Sequence, residues 1–168
     1  MFILAQILGA IALFILVLSF QKNKKQTLLK YQIGSSIFFA AQYVCLQAYT
    51  GCLMNLTCAL RNILFKKYDK EKVPIYLLIF IMFIMLILSL FSYTGPISLL
   101  PCIACILYTI SIWQSNLKVT RIVEVISCSL YIIYNIKFLA YVGLVSTMIE
   151  LISALIAIYR FDIKIDYK

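Results

Sequence analysis

Apolar residues run along this chain in long unbroken stretches, separated by short clusters of charge or of turn-forming residues. The first stretch, Phe2 to Phe20, has no basic segment ahead of it and no small-residue cleavage site behind it. It is therefore expected to be a retained span and not a signal peptide. Further stretches follow at about Tyr31 to Gln47, Cys52 to Phe65, Pro74 to Tyr93, Ile97 to Trp113, Ile122 to Ile136 and Leu144 to Tyr159. The runs are continuous, without the ten-residue alternation of a β-barrel, so the pattern predicts seven transmembrane helices. The third and sixth are the shortest. The breaks are Ala48-Tyr49-Thr50-Gly51, Thr94-Gly95-Pro96 and Lys137 to Gly143, with charged clusters between the others.

Composition agrees. The 168 residues are 64% hydrophobic and 12% charged, with a mean hydropathy of +1.03. Soluble domains sit near about 45–50% apolar and about 25% charged, and disorder needs the opposite bias. Seven spans of about 20 residues leave no room for a separate soluble domain.

The net charge of +9 is read as topology. Basic residues follow the odd-numbered spans: Lys22, Lys24, Lys25 and Lys30; Lys66, Lys67, Lys70 and Lys72; Lys118 and Arg121; Arg160, Lys164 and Lys168. Of the remaining two, Lys137 follows span six and Arg61 lies inside span three. The positive-inside rule then places the N-terminus outside and the C-terminus in the cytoplasm of a bacterial inner membrane. The bilayer is the expected partner. Nucleic acid is excluded, because no soluble basic surface exists to hold it. A homo-oligomer is left open.

The chain also repeats itself. Ala48-Tyr49-Thr50-Gly51 recurs as Ala140-Tyr141-Val142-Gly143, and Ser35 falls on Ser127, each 92 residues on. Lys67-Tyr68-Asp69 recurs as Arg160-Phe161-Asp162 at a spacing of 93. These matches lay spans one to three on spans five to seven, with the basic loops in phase. Span four, without a Ser, Thr, Asn, Gln or charge between Ile75 and Leu88, is left over as a lipid-facing linker. The expected division is a first three-helix repeat (1–72), a linker helix (73–96), and a second three-helix repeat with a cytoplasmic tail (97–168). Parallel triplets in a 3+1+3 order are the architecture of SWEET-type carriers.

Leu4-Ala5-Gln6, Ala59-Leu60-Arg61, Leu99-Leu100-Pro101 and Thr147-Met148-Ile149-Glu150, in this order, resemble the YgjV family of bacterial inner-membrane proteins. The resemblance spans nearly the whole chain, and it implies a multi-pass protein distantly similar to the SWEET/PQ-loop carrier group. Those carriers resemble one another in hinge prolines within both triplets. Here only Pro101 stands in such a place, and the first triplet has none.

Glu150 is the sharpest candidate for chemistry. Counted from Arg160 it lies near the bilayer midplane, where a carboxylate is costly and must face the interior with a partner. It shares a small and polar stripe with Gly143, Ser146, Thr147, Ser153, Ala154 and Ala157. It reads either as a group that binds solute or carries a proton, or as half of a structural ion pair. Arg61 is the expected partner, about 7 Å from the cytoplasmic edge with a side chain long enough to reach up. Asn55 and Asn135 come next, followed by Gln6, Gln32, Gln42, Asn62 and the hydroxyls of Tyr108, Tyr131 and Tyr134. Amides facing a cavity suit a polyol, sugar or amino acid, and interhelical hydrogen bonding is the alternative use.

The cysteines read mostly as small buried hydrophobes. Cys102 and Cys105 form a Cys-x-x-Cys inside an apolar helix, and Cys45 and Cys52 lie near the outer face. No metal or other cofactor is expected, since there is no second Cys pair and no His. No enzymatic activity is expected either, with no His, no paired membrane carboxylates and no nucleophile motif. The leading expectation is a SWEET-like carrier or facilitator of a small polar solute, with Pro101 as its hinge. The alternative is a non-transporting scaffold or regulatory subunit acting through its basic cytoplasmic face.

Overall fold

The computed structural model describes residues 1–20, 25–68, 73–114, 116–159 and 162. They form α1 (Phe2–Phe20), α2 (Lys25–Cys45), α3 (Tyr49–Lys67), α4 (Ile75–Phe91), a 3-10 turn (Pro96–Leu99), α5 (Leu100–Gln114), α6 (Leu117–Lys137) and α7 (Tyr141–Ile158), with no strand among the described residues. Seven expected helices are seven observed helices, but several ends differ. α2 begins at Lys25 and not Tyr31, α3 at Tyr49 and not Cys52, and α6 at Leu117 and not Ile122. Apolarity marks only the stretch facing hydrocarbon, whereas the backbone hydrogen-bond ladder continues through polar residues beyond it. The start of α6 shows the cause: the Asn116 side chain accepts from the amides of Lys118 (3.1 Å) and Val119 (3.5 Å), a polar cap ahead of the apolar run. Span five is broken near its beginning, where Gly95 at φ +138° turns the chain into the 3-10 segment. Such a φ suits glycine alone.

Among the described residues, three helical stretches are long and apolar enough to cross a membrane: Pro96–Gln114, Lys118–Lys137 and Tyr141–Ile158. Phe2–Leu18 and Ile75–Phe91 are shorter apolar helices. α2 and α3 are diluted by Gln32, Ser35, Ser36, Asn55, Arg61 and Asn62, all of which turn inward to line a cavity. The molecule is inverted relative to a soluble protein. Ile3, Phe14, Phe80, Phe83, Leu90, Ile152 and Ile156 stand on the outside, while Gln42, Arg61, Asn62, Thr109 and Asn135 are buried. That distribution suits a hydrocarbon solvent.

Packing follows chain order. α1 lies on α2 and α2 on α3, then α5 on α6 and α6 on α7, while α1–α7 and α3–α5 contacts close a ring of six. α4 packs outside this ring against α3 and α5. It buries one stripe, Leu78, Ile81, Met85 and Ser89, and leaves Ile79, Phe80, Phe83 and Leu86 exposed. Ile81 and Met85 of that stripe join Met54 and Phe65 of α3 and Cys102 and Cys105 of α5 in one apolar cluster. α4 is thus lipid-facing on one side only.

The α2–α3 and α6–α7 turns have the same form. Gln47 (φ 58°) and Leu139 (φ 53°) both take the left-handed conformation. The amides of Ala48 and Ala140 then bond the carbonyls of Tyr43 and Asn135 at 2.9 and 3.0 Å. Neither alanine can cap the helix it starts, and distant side chains do so instead. The Gly51 amide of α3 donates to the Tyr134 hydroxyl of α6 at 2.8 Å, and that hydroxyl donates to the Ala48 carbonyl. The Val142 amide of α7 donates to Gln6 Oε1 of α1, whose Nε2 donates to the Leu139 carbonyl. Tyr43 and Asn135, 92 positions apart, meet in a 2.6 Å hydrogen bond. Ser35 donates to the Ala12 carbonyl, and Ser127 donates to that of Ala104.

The helices alternate in direction. At one end Trp113 donates to the Val73 carbonyl (2.8 Å) and Arg121 meets Asp162 (2.7 Å). At the other end Thr50 donates to the Ser92 carbonyl. Lys66 and Lys67, closing α3, and Lys118 and Arg121, opening α6, share the first end, and Lys137 closes α6 at the opposite one. Lys22, Lys24, Lys70, Lys72, Arg160, Lys164 and Lys168 lie outside the described residues, as do Asp69 and Phe161 of the second repeat match.

Candidate functional site: a charged cavity within the helix ring

The ring encloses a cavity of about 210 Å³. Every helix of the ring contributes to its lining, and the described residues of α4 contribute nothing. Leu16 comes from α1, Gln32 and Tyr43 from α2, and Asn55, Cys58, Arg61 and Asn62 from α3. α5 adds Cys105 and Tyr108, α6 adds Glu124, Cys128 and Tyr131, and α7 adds Gly143, Ser146, Thr147 and Glu150. The spacing within α6 and α7 explains these contributions, because residues three or four apart share a helix face.

Arg61 is 4% exposed. Its Nε and Nη2 both donate to Asn62 Oδ1 (3.2 and 3.1 Å), and Nη1 donates to Thr109 Oγ1 of α5 (3.1 Å). The guanidinium carbon lies 5.4 Å from the centre of the Tyr108 ring. These neighbours hold the side chain towards α5 and carry no opposing charge. Glu150 accepts from Ser146 Oγ at 3.4 Å, one turn back on its own helix. The expected direct ion pair between Arg61 and Glu150 is therefore not formed. Both groups line the same cavity, each held by neutral partners on its own side.

A third charge completes the site. Glu124 of α6 accepts from Cys128 Sγ at 3.8 Å. Carboxylate oxygens of Glu124 and Glu150 and the sulfur of Cys128 all lie within 4.8 Å of one another. The sequence expectation of no paired membrane carboxylates is overturned. Three such atoms within this radius could also hold a metal ion, so the expectation of no metal rests on chemistry and not on geometry.

The other expected residues divide into two groups. Ser146, Thr147 and Asn55 line the cavity, although Asn55 Nδ2 donates back to the Gly51 carbonyl (2.9 Å) and Thr147 to that of Gly143 (2.8 Å). Asn135 does not line it. Its Oδ1 accepts from Tyr43 and its Nδ2 donates to Thr147 (3.2 Å), so it ties α2, α6 and α7 together. Of the other amides and hydroxyls, Gln32, Asn62, Tyr108 and Tyr131 line the cavity, whereas Gln6 and Tyr134 serve as helix caps. Pro101 is buried at the handover from the 3-10 turn to α5. A first-turn proline removes no hydrogen bond from the helix interior, so a bend there would act at the junction and not within α5.

The six cysteines are all free. Cys105 forms no disulfide with Cys102; its sulfur stands 3.5 Å from that of Cys58 and 3.1 Å from the Tyr131 hydroxyl.

With an inverted polarity and a polar cavity inside a helical ring, comparison with known proteins adds one decisive finding. The model of the Imp-YgjV family, bacterial inner membrane proteins, matches residues 3–164. The chain belongs to that family. Comparison with curated proteins and with solved structures finds no match. Imp-YgjV membership places the chain in a bacterial inner membrane, in contact with the lipid bilayer, and leaves its activity to be argued from the cavity.

Proposed function

We propose that this Imp-YgjV protein is a SWEET-like carrier or facilitator of a small polar solute, bound in the cavity between two parallel three-helix repeats. In this reading residues 1–72 and 97–168 are the repeats, residues 73–96 are the linker, and all seven helices cross the bilayer. The matched turns, the twin serine bonds and the Tyr43–Asn135 contact, each at a spacing of 92, support the repeat. The exclusion of α4 from the cavity supports its role as linker. The N-terminus is outside and the C-terminus cytoplasmic, supported by the clustering of basic residues at one end of the bundle. Reporter fusions at each terminus test that orientation.

One observation carries the functional reading. Arg61, Glu124 and Glu150 line one cavity, and none of them makes an ion pair among the described residues. Charges at membrane depth are costly and normally find a partner. A purely structural role would have paired them, whereas a binding site keeps them for its ligand. The cavity is smaller than a drug-sized site, which starts at roughly 300 Å³. The solute is correspondingly small.

Cysteine substitutions at Asn55 and Ser146, in a background lacking the native cysteines, test the reading with a membrane-impermeant thiol reagent. Both positions should react, and Ile81→Cys on α4 should not. Protection by a solute that the cells also take up favours a carrier. Unreactive Asn55→Cys and Ser146→Cys from both sides would mean a packed core and a scaffold role.

A further inference from the structure

We infer that the solute carries both signs of charge: an ammonium group for the Glu124–Glu150 pair and a carboxylate for Arg61. The inference rests on the reading of the cavity as a solute site, and it names the chemical class that the site accepts. At one pole, two carboxylates with oxygens within 4.8 Å of each other face the same space. Their protein donors, Cys128 at 3.8 Å and Tyr108 for Glu124 and Ser146 at 3.4 Å for Glu150, are all neutral. Carboxylates this close repel, and a cation between them relieves the repulsion. An ammonium group does so and brings three N–H donors to their free lone pairs.

At the other pole is a buried guanidinium whose three hydrogen bonds reach only Asn62 and Thr109. Five N–H donors are available to a guanidinium, so two remain, one on each Nη, for an acceptor such as a carboxylate. A neutral polyol would bring a counter-charge to none of the three groups. A simple amine would leave Arg61 unmatched, and a simple acid would leave the glutamates so. A divalent cation would fit the Glu124–Cys128–Glu150 cluster but would share its cavity with an uncompensated guanidinium. A small amino acid answers both poles at once, and the cavity has room for one.

The test is ligand-induced stabilisation of the purified full chain in detergent. The probes, at equal millimolar concentration, are glycine, β-alanine, 4-aminobutyrate, ethylamine, propionate, glycerol and zinc chloride. At least one of the three amphoteric probes should raise the unfolding temperature, and the spacing that works best reports the distance between the poles. Ethylamine, propionate and glycerol should have no comparable effect. Glu150→Gln and Arg61→Met should each weaken the best probe tenfold or more. Should either variant fail to fold, Glu124→Gln and Arg61→Lys address the same poles with smaller changes. Stabilisation by glycerol, by either single-charge probe, or by zinc alone to the same extent would overturn the inference, as would no response to any amphoteric probe. Binding of an amphoteric probe without uptake into proteoliposomes would uphold the inference and remove the carrier reading. Uptake of an uncharged solute alone would do the reverse.

Discussion

Replacing Tyr134 with phenylalanine removes one oxygen atom and tests how the two halves of the ring are joined. The amide of Gly51, the third residue of α3, lies in the first turn, where no helical acceptor is available. Ala48 at the head of the helix offers no side-chain oxygen. The Tyr134 hydroxyl, reaching across from α6, is the acceptor at 2.8 Å. The tyrosine is fully buried, and no room is left around Gly51: a Cβ built there would stand 2.8 Å from the Tyr134 ring. In Tyr134→Phe the ring keeps its packing on Tyr43 and Phe138, at centroid distances of 5.8 and 4.7 Å. The Ala48 carbonyl keeps its bond from Cys52 (3.1 Å). What is lost is one satisfied donor in an apolar setting, at about 1–3 kcal/mol.

Unfolding of the purified protein in detergent by a graded denaturant measures this loss directly. Tyr93→Phe, at an exposed tyrosine, should stay within the ~0.5 kcal/mol of an ordinary surface change. Faster hydrogen exchange at the Gly51 amide should accompany the loss. A Tyr134→Phe variant as stable as the parent, with Gly51 still protected, would show that α3 is capped from elsewhere. The coupling of the halves through this hydroxyl would then be refuted.

Three further outcomes follow from the same packing. Gly51→Ala should destabilise by about 1–3 kcal/mol, because the atoms its Cβ meets belong to the rigid rings of Tyr134 and Tyr43; the same unfolding assay reads it. Mild oxidation should join Cys58 to Cys105, whose sulfurs are 3.5 Å apart, giving a crosslink between α3 and α5 seen by peptide mass spectrometry and absent in Cys58→Ser. A crosslink of Cys102 with Cys105 instead would contradict the packing. Leu139→Gly should raise stability by up to about 1 kcal/mol in that unfolding assay, since a left-handed leucine is strained. Its exposed side chain gives up little packing in exchange.

The fold was legible because hydrocarbon is an undemanding solvent to read. Every long apolar run became a helix, and the run apolar through its middle became the helix outside the ring. The likeness of the α2–α3 and α6–α7 turns was legible in the Ala-Tyr-x-Gly matches, because a turn that closes on a left-handed residue and two close-packed helices tolerates few sequences. The helix ends were not legible. They depend on caps such as Asn116, Tyr134 and Gln6, the last two acting from distant parts of the chain. The role of Asn135 was hidden for a related reason. An amide suits a solute and a neighbouring helix equally well, and only the position of Tyr43 decides between them.

The missing carboxylate follows from the misplaced end of α6. With span six starting at Ile122, Glu124 sits at the membrane surface, where an acid is ordinary. α6 in fact starts at Leu117, two helical turns before Glu124. At a rise of about 1.5 Å per residue, the carboxylate's backbone stands about 10 Å from the end of the bundle where α6 begins. Glu150 stands a little over two turns before the end of α7 at Ile158. That is about 12 Å from the same end of the bundle. Arg61 precedes the end of α3 at Lys67 by fewer than two turns, or about 9 Å. α3 and α7 run one way and α6 the other, and their three charges reach one level. A charge at that level on one helix alone would be a liability, answered by a structural partner. Three of them on α3, α6 and α7, without an ion pair among them, make the charged layer on which the proposed solute site rests.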